Sequence, residues 1–441
     1  MTGWADMTAA DLGRGIAAGR IDPVELTQAF LDAIEAHPDS DTIYARTTPG
    51  RAMAEAQAAA ARAATGRRLS PLDGVPVSWK DLFDTAGTAT EGGTAMLSGR
   101  VPDADAEVLR RATANGLVCL GKTHMSEIAF SGLGYNPVTA TPPNRAHPRC
   151  VPGGSSSGAA ASLTHGLAPL AIGSDTGGSV RIPAAWNDLV GMKPTHDLLP
   201  LDGTVPLCAS FDTVGPLARS VEDAALAIAA MGGPAADLRG ATLDGVRLAI
   251  PETILMDDLE DTPARAFEEA VARLEASGAS VTTLTSDAIE HAYALTATLY
   301  TAEAYAFWRP YVETQGELMF SQIRERVSAG RDVLATDFIA AWDMLHALRG
   351  RFAAQIGGVD AVVSPTAALM PPAIDRLISD DAYYKAVNIK TLRNTRLANL
   401  MGLCSLTLPT GTPGCGVMFG MPGGDDARLL RLGAAAERAL A

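Results

Sequence analysis

Between residues 150 and 220 the chain is built from Gly, Ser, Ala and Pro, with few long side chains. Backbone there must bend tightly and pack closely, because small residues leave no other way to fill the space. The most restrictive part is Gly173-Ser174-Asp175-Thr176-Gly177-Gly178-Ser179, followed by an Arg181-Ile182-Pro183 turn. Two glycines before a serine let successive N–H groups converge on one oxygen, which is how an oxyanion-binding loop is built beside a nucleophile. A serine nucleophile needs a base, yet no histidine lies in this segment or in the two that accompany it, GVPVSWKD at 74–81 and PGGSSSGAAAS at 152–162. Lys80, at the end of a short strand pattern, is the available substitute, provided burial removes its charge.

Two other patterns compete. Gly116-Leu117-Val118-Cys119-Leu120-Gly121-Lys122-Thr123 matches the phosphate-loop string G-x-x-x-x-G-K-[ST] letter for letter. A phosphate loop follows a strand and opens a helix. Here a helix pattern at 105–115 precedes and the variable residues form an apolar strand, so the match is read as chance. Gly154-Ser155-Ser156-Ser157-Gly158 fits the nucleophile elbow G-x-S-x-G centred on Ser156. The residues before it, NRAHPRCVP, are not an apolar strand, and the last histidine is His346, so this reading is set aside.

The chain has 441 residues, 47% of them hydrophobic, enough for a large core. With 35 basic and 50 acidic residues it has a formal net charge of −15 and no basic stripe, which argues against a nucleic-acid partner. No apolar run is long enough to span a bilayer, and the N-terminal residues lack a secretory pattern. Five scattered cysteines fit a reduced, cytoplasmic protein with buried thiols, and neither Cys nor His shows metal-ligand spacing. Thr8 with Asp11 predicts a helix start, and Asp22-Pro23 another, with Leu26, Phe30 and Ile34 on one face. Val75–Trp79 reads as a strand. Val246, Leu248 and Ile250 alternate as a strand, followed by a helix carrying Phe267, Val271 and Leu274 and a strand near Val281. Residues 288–355 read as helical and hold most of the aromatics.

These segments resemble the amidase signature family, serine hydrolases with a Ser–cis-Ser–Lys triad. GVPVSWKD, GKTHMSEIAFSG, VPGGSSSG, GSDTGGSVRIPA, LVGMKPT and FDTVGPLARSVED follow in the family's order, and GVDAVVSPT and LANLMGLCSLTLPTG continue it, so the resemblance covers nearly the whole chain. It implies an α/β fold, a mixed central sheet covered by helices on both faces. It implies one amidase domain over 1–441, with N-terminal helices at about 6–36, a catalytic core at about 65–220, a helical substrate-pocket region at about 288–355 and a C-terminal return to the core at about 357–441. Carried over by position, Ser179 is the nucleophile, Ser155 the bridging serine after a cis Gly154–Ser155 peptide, and Lys80 the base. The N–H groups of Thr176, Gly177, Gly178 and Ser179 form the oxyanion hole. Asp175, Arg181 and Ser156 support the site, and Ala129, Phe130, Ser131 and Trp308 are expected to touch substrate.

The implied reaction is hydrolysis of a small carboxamide, with no cofactor and no metal. The expected partner is the amide itself, without nucleic acid or membrane, a homodimer being left open. The alternative on the same fold is the glutaminase subunit of a tRNA-dependent amidotransferase, although HDLLPLDGTVP after KPT is closer to stand-alone amidases. A non-catalytic scaffold is disfavoured by the intact triad. His124 stands where the family often has Asn, and Asn187-Asp188 where it often has Cys-Gly. His124 is read as a packed polar residue, and Arg393 and Arg396 as a solvated helix face rather than partners of a substrate carboxylate.

Overall fold

The computed structural model describes residues 3–441. Eleven strands form one mixed sheet: β1 Tyr44–Thr47, β2 Pro76–Lys80, β3 Val118–Thr123, β4 Ala171–Ser174, β5 Val190–Lys193, β6 Val214–Ala218, β7 Arg247–Pro251, β8 Ser280–Leu284, β9 Ala361–Pro365, β10 Cys404–Pro409 and β11 Gly416–Met421. Their order is β1-β3-β2-β4-β6-β5-β10-β11-β9-β7-β8. β2 lies parallel to both β3 and β4, and β7 parallel to β8 and β9, while β4, β5, β6, β10 and β11 pair antiparallel with one another in the centre. Helices cover the sheet on both faces, and β2, β3, β4, β5 and β6 are buried along their whole length. Strands covered on both sides need apolar or small residues, which PVSW, AIGS and VGPLA provide in place of polar alternation, Lys80 at the end of β2 being the exception.

Local signals set the surrounding helices. The Asp22 carboxylate accepts from the N–H groups of Val24 and Glu25, and Pro23 opens the Pro23–Ala36 helix. Such a cap is worth about 1 kcal/mol. Leu26, Phe30 and Ile34 are its buried stripe. Thr8 caps the Ala9–Ala17 helix by accepting from Asp11 N–H, and its hydroxyl donates to the Asp11 carboxylate. The predicted strand–helix–strand unit is β7, the Asp261–Ala276 helix and β8, the two strands parallel in register Leu248 to Val281.

The phosphate-loop string is strand. Val118–Thr123 is β3, Lys122 is fully buried, and its ammonium donates to the Thr90 hydroxyl at 2.9 Å and lies 3.2 Å from the Asp81 carboxylate. The strand extends three residues beyond the expected Leu117–Leu120 because Gly121, Lys122 and Thr123 pair with β1 on one side and β2 on the other, Gly121 passing too close to Arg46 O for any side chain. Calorimetric titration with ATP and magnesium is expected to show no binding. Saturable heat lost in Lys122→Ala would contradict that.

Candidate active site

Lys80 ends β2 and Ser174 ends the adjacent parallel strand β4. Side chains at the ends of neighbouring parallel strands come together without any loop having to hold them. The Lys80 Nζ lies 2.6 Å from the Ser155 hydroxyl and 2.8 Å from the Ser174 hydroxyl, with the Ser174 carbonyl at 3.5 Å. Lys80 is completely buried. Burial lowers its pKa to about 7, against the pull of Asp175 and Asp212 in the other direction. Near neutral pH a large share of this amine is therefore uncharged and able to accept a proton.

Ser155 follows a cis peptide bond, Gly154–Ser155. Gly154 permits this path because a Cβ there would stand 2.5 Å from both Gly134 N and the Ser126 hydroxyl. Ser156 N–H donates to Ser179 O, which ties the two serine segments together. The Ser156 hydroxyl donates to Ser174 O and Ser157 begins the Ser157–Thr164 helix, so Ser156 braces the loop and forms no elbow.

Ser179 sits just before the short Arg181–Trp186 helix and lines a narrow cleft. Its hydroxyl forms no hydrogen bond with the described residues. The loop before it is held from several sides. The Asp175 carboxylate accepts from Gly178 N, Val180 N, Asn399 Nδ2 and two nitrogens of Arg181, the ion pair closing at 2.8 Å with both side chains fully buried. Burial by itself would raise the Asp175 pKa, but the Arg181 guanidinium overrides it and holds the carboxyl at about 2. Asp212 accepts from the Thr176 hydroxyl and from the N–H groups of Leu207 and Cys208. Tyr300 donates to Thr176 O at 2.9 Å, and Thr395 to Gly177 O at 2.7 Å.

This bracing corrects one expectation. The Gly178 N–H is spent on Asp175 and is not available to an oxyanion. Gly178 is needed for another reason: its φ is +132°, and a Cβ would fall 2.0 Å from the Thr395 hydroxyl. The N–H groups of Thr176, Gly177 and Ser179 have no acceptor among the described residues, and all three residues line the cleft.

The remaining cleft lining is Ala129, Phe130 and Ser131, as expected, together with Leu207, Tyr300, Arg326, Leu392 and Arg396. Ala129 reaches the wall through a left-handed turn with Ile128, at φ of 61° and 44°, a conformation that costs a non-glycine residue roughly 1 kcal/mol or more. Trp308 does not touch the cleft. It is fully buried, and its indole N–H donates to Pro206 O, so it is a core residue. Arg396 is only 7% exposed and faces the cleft, so the solvated-face reading fails. His124 packs against the Asp41 carbonyl, and Asn187 donates to Pro152 O and Pro183 O, neither in the cleft lining. Wider grooves near Trp4 and Phe30 and near Gln28 hold none of these groups. Ser174, Asp212, Tyr300 and Arg326 are not among the residues expected from sequence. Ser174 and Asp212 stand inside the motifs GSDTGGS and FDTVGP, the only sign of them there.

The family model named Amidase matches residues 25–430. The chain belongs to the amidase family. It is 34% identical over 423 residues to 2-amino-5-chloromuconic acid deaminase of Comamonas testosteroni, covering 92% of this chain and 90% of that protein. It is 31% identical over 459 residues to a glutamyl-tRNA(Gln) amidotransferase subunit of Symbiobacterium thermophilum, covering 95% and 92%. A solved amidase structure matches with a TM-score of 0.89 at 30% identity over 99% of this chain and 100% of that one. Native peptide amidase from Stenotrophomonas maltophilia matches at 0.83 and 28% identity, over 99% and 98%. This amidase is accordingly an enzyme that hydrolyses carbon–nitrogen bonds of small amides. No helix among its described residues is long and apolar enough to cross a membrane.

Proposed function

We propose that Ser179 attacks the amide carbonyl and becomes acylated, with Ser155 and Lys80 carrying its proton. Neutral Lys80 accepts the proton of Ser155, which accepts that of Ser179 as its hydroxyl swings onto Ser155 in the substrate complex. The N–H groups of Thr176, Gly177 and Ser179 bind the tetrahedral oxygen. The proton returns through Ser155 to the leaving amine, and water then releases the acid by the same relay. The observation that carries this reading is a fully buried lysine 2.6 Å from one serine, beside a second serine that lines a cleft and is unbonded. Ser174 is a positioning residue that holds the Lys80 amine from its other side.

In this reading the whole chain is one amidase unit, with residues of about 65–220 carrying the relay and 288–355 part of the pocket wall. It works on the small amide without nucleic acid, membrane or a different protein partner. A cytoplasmic location is part of the reading and is supported by five cysteines with no disulfide, four of them buried. Labelling with an alkyl fluorophosphonate followed by peptide mapping is expected to place the tag on Ser179 and to be lost in Ser179→Ala. A tag on Ser156 would overturn the assignment. Turnover of amides by the purified chain is expected, whereas glutaminase activity seen only with an added protein partner would favour the amidotransferase role.

A further inference from the structure

The cleft contains two positive charges that the protein leaves uncompensated. Arg326, on the Ser321–Ser328 helix, and Arg396, on the Asp381–Leu400 helix, both line it beside Ser179. Arg326 is held by one hydrogen bond, from Nη1 to Phe130 O at 2.8 Å, and by stacking, its guanidinium carbon 4.1 Å from the Phe130 ring centre. Arg396 makes no hydrogen bond and no ion pair with the described residues. Its Nε is buried without a partner, and a Cβ on Gly177 would lie 3.9 Å from that nitrogen, which puts the guanidinium against the nucleophile's loop. The Tyr300 ring stands at its face, 5.7 Å away.

A buried guanidinium without a partner is costly, and two adjacent ones repel each other as well. Both stay charged at neutral pH. Burial nonetheless depresses both pKa values, that of Arg326 to about 9 with the Arg396 charge adding to the effect. Elsewhere the chain satisfies such groups itself, with acids or with backbone carbonyls, as Arg219 does through the carbonyls of Ala5, Leu163, Ala168 and Pro169. Arg181, fully buried, faces Asp175, and Arg51 faces Asp105 and Glu55. The cleft pair has no such acid, and the Arg396 guanidinium has no carbonyl either, which leaves a place for an anion brought by the ligand.

We propose that Arg326 and Arg396 form a carboxylate-binding subsite, and that the substrates of this enzyme are small amides carrying a carboxylate, such as monoamides of short dicarboxylic acids. This rests on the amidase reading and names its substrate class. A planar guanidinium matches a carboxylate through two parallel hydrogen bonds, and the free Arg396 fork supplies them. Arg326, already anchored through Phe130, adds the second charge.

The test compares glutaramate with 5-methylhexanamide, in which a neutral isopropyl group replaces the carboxylate, and succinamate with 4-methylpentanamide. The acid amides are expected to show kcat/KM higher by roughly 100-fold or more, because a site built for a polar group rejects the analogue that lacks it. In Arg396→Gln and Arg326→Gln that ratio is expected to fall by at least about 10-fold, mostly through KM, and Arg396→Lys is expected to keep part of it. Equal turnover, or preference for the neutral amide, by a wild-type enzyme that fluorophosphonate labels at Ser179 would overturn the subsite and leave the amidase reading intact. If no amide is turned over and Ser179 is not labelled, the amidase reading fails. The subsite is then judged by calorimetry of glutarate on Ser179→Ala: binding lost on adding Arg396→Gln supports it, and no binding overturns it.

Discussion

Lys80→Ala is expected to lower kcat/KM for amides by roughly 10²–10⁴-fold, the span of a lost general base, while the protein stays folded. The amine is uncharged only because it is buried, so its removal relieves a desolvation cost and leaves two hydroxyls, those of Ser155 and Ser174, to rebond. Lys80→Arg is expected to be as inactive, since a guanidinium does not give up its proton in the working range. The pH profile follows from the sign of the shift. The base works when neutral and its pKa is lowered from 10.5 to about 7, so wild-type kcat/KM should rise with pH through about 7 and then level. Between about 7 and 10.5 the unfolded chain holds a proton on this lysine that the folded chain has lost. Lys80 therefore makes stability rise with pH over that window, and Lys80→Ala should flatten the rise. A rate profile centred near 10, the ordinary range of a free lysine, or near-normal turnover by Lys80→Arg, would place the base elsewhere.

Asp175→Ala is expected to be the most damaging single change to stability. It leaves Arg181, fully buried, without its counter-charge, and frees the N–H groups of Gly178 and Val180 and the amide of Asn399. Breaking a buried pair from one side costs about 3–5 kcal/mol, against a total of about 5–15 kcal/mol for a typical protein. Urea unfolding should show a large fall in midpoint, and the soluble fraction should turn over amides poorly because the loop bearing Ser179 is no longer held. Asp175→Asn keeps one acceptor oxygen and should be milder. The folded-state pKa of Asp175 lies at about 2, below the ordinary 3.8 of an aspartate, so the stability it contributes is present above about pH 4 and is lost as pH falls toward 2. A midpoint shift for Asp175→Ala equivalent to less than about 1 kcal/mol would show that Arg181 is neutralised by something else.

What the sequence reveals about this enzyme divides along contact range. Asp22-Pro23 announces a helix start because a cap is complete within four residues, and β7 with its helix and β8 is legible because alternation and 3.6-residue periodicity are local. From the residues alone, the Gly-Gly-Ser turn points to Ser179 and the lack of histidine to Lys80 at a strand end, whereas Ser155 comes only from the family's motif order. The Gly178 N–H is misread as an oxyanion donor because its acceptor depends on how the Asp175 carboxylate turns, which no spacing expresses. Arg396 reads as surface from its helix alone, since the polar residues around it on the Asp381–Leu400 helix give no sign of what covers them. Its burial depends on Tyr300 and Gly177, both far away in the chain. Trp308 reads as a pocket residue for being aromatic in the right segment, but the helix turns it onto Pro206.

Lys80 and Ser174 stand at the ends of β2 and β4, whereas much of the cleft wall comes from the Thr296–Gln315, Ser321–Ser328 and Asp381–Leu400 helices. Retargeting this amidase therefore separates into positions that can be randomised and positions that cannot. Leu392, Arg326 and Arg396 send side chains to the cleft and carry no hydrogen bond to the loop bearing Ser179, so a mutant library there samples new acyl groups with the relay undisturbed. Tyr300 and Thr395 look equally inviting, yet their hydroxyls hold Thr176 O and Gly177 O. Variants at those two positions would lose the geometry of the oxygen-binding N–H groups along with any change in selectivity, and a screen scored on turnover would discard them whatever substrate it offered.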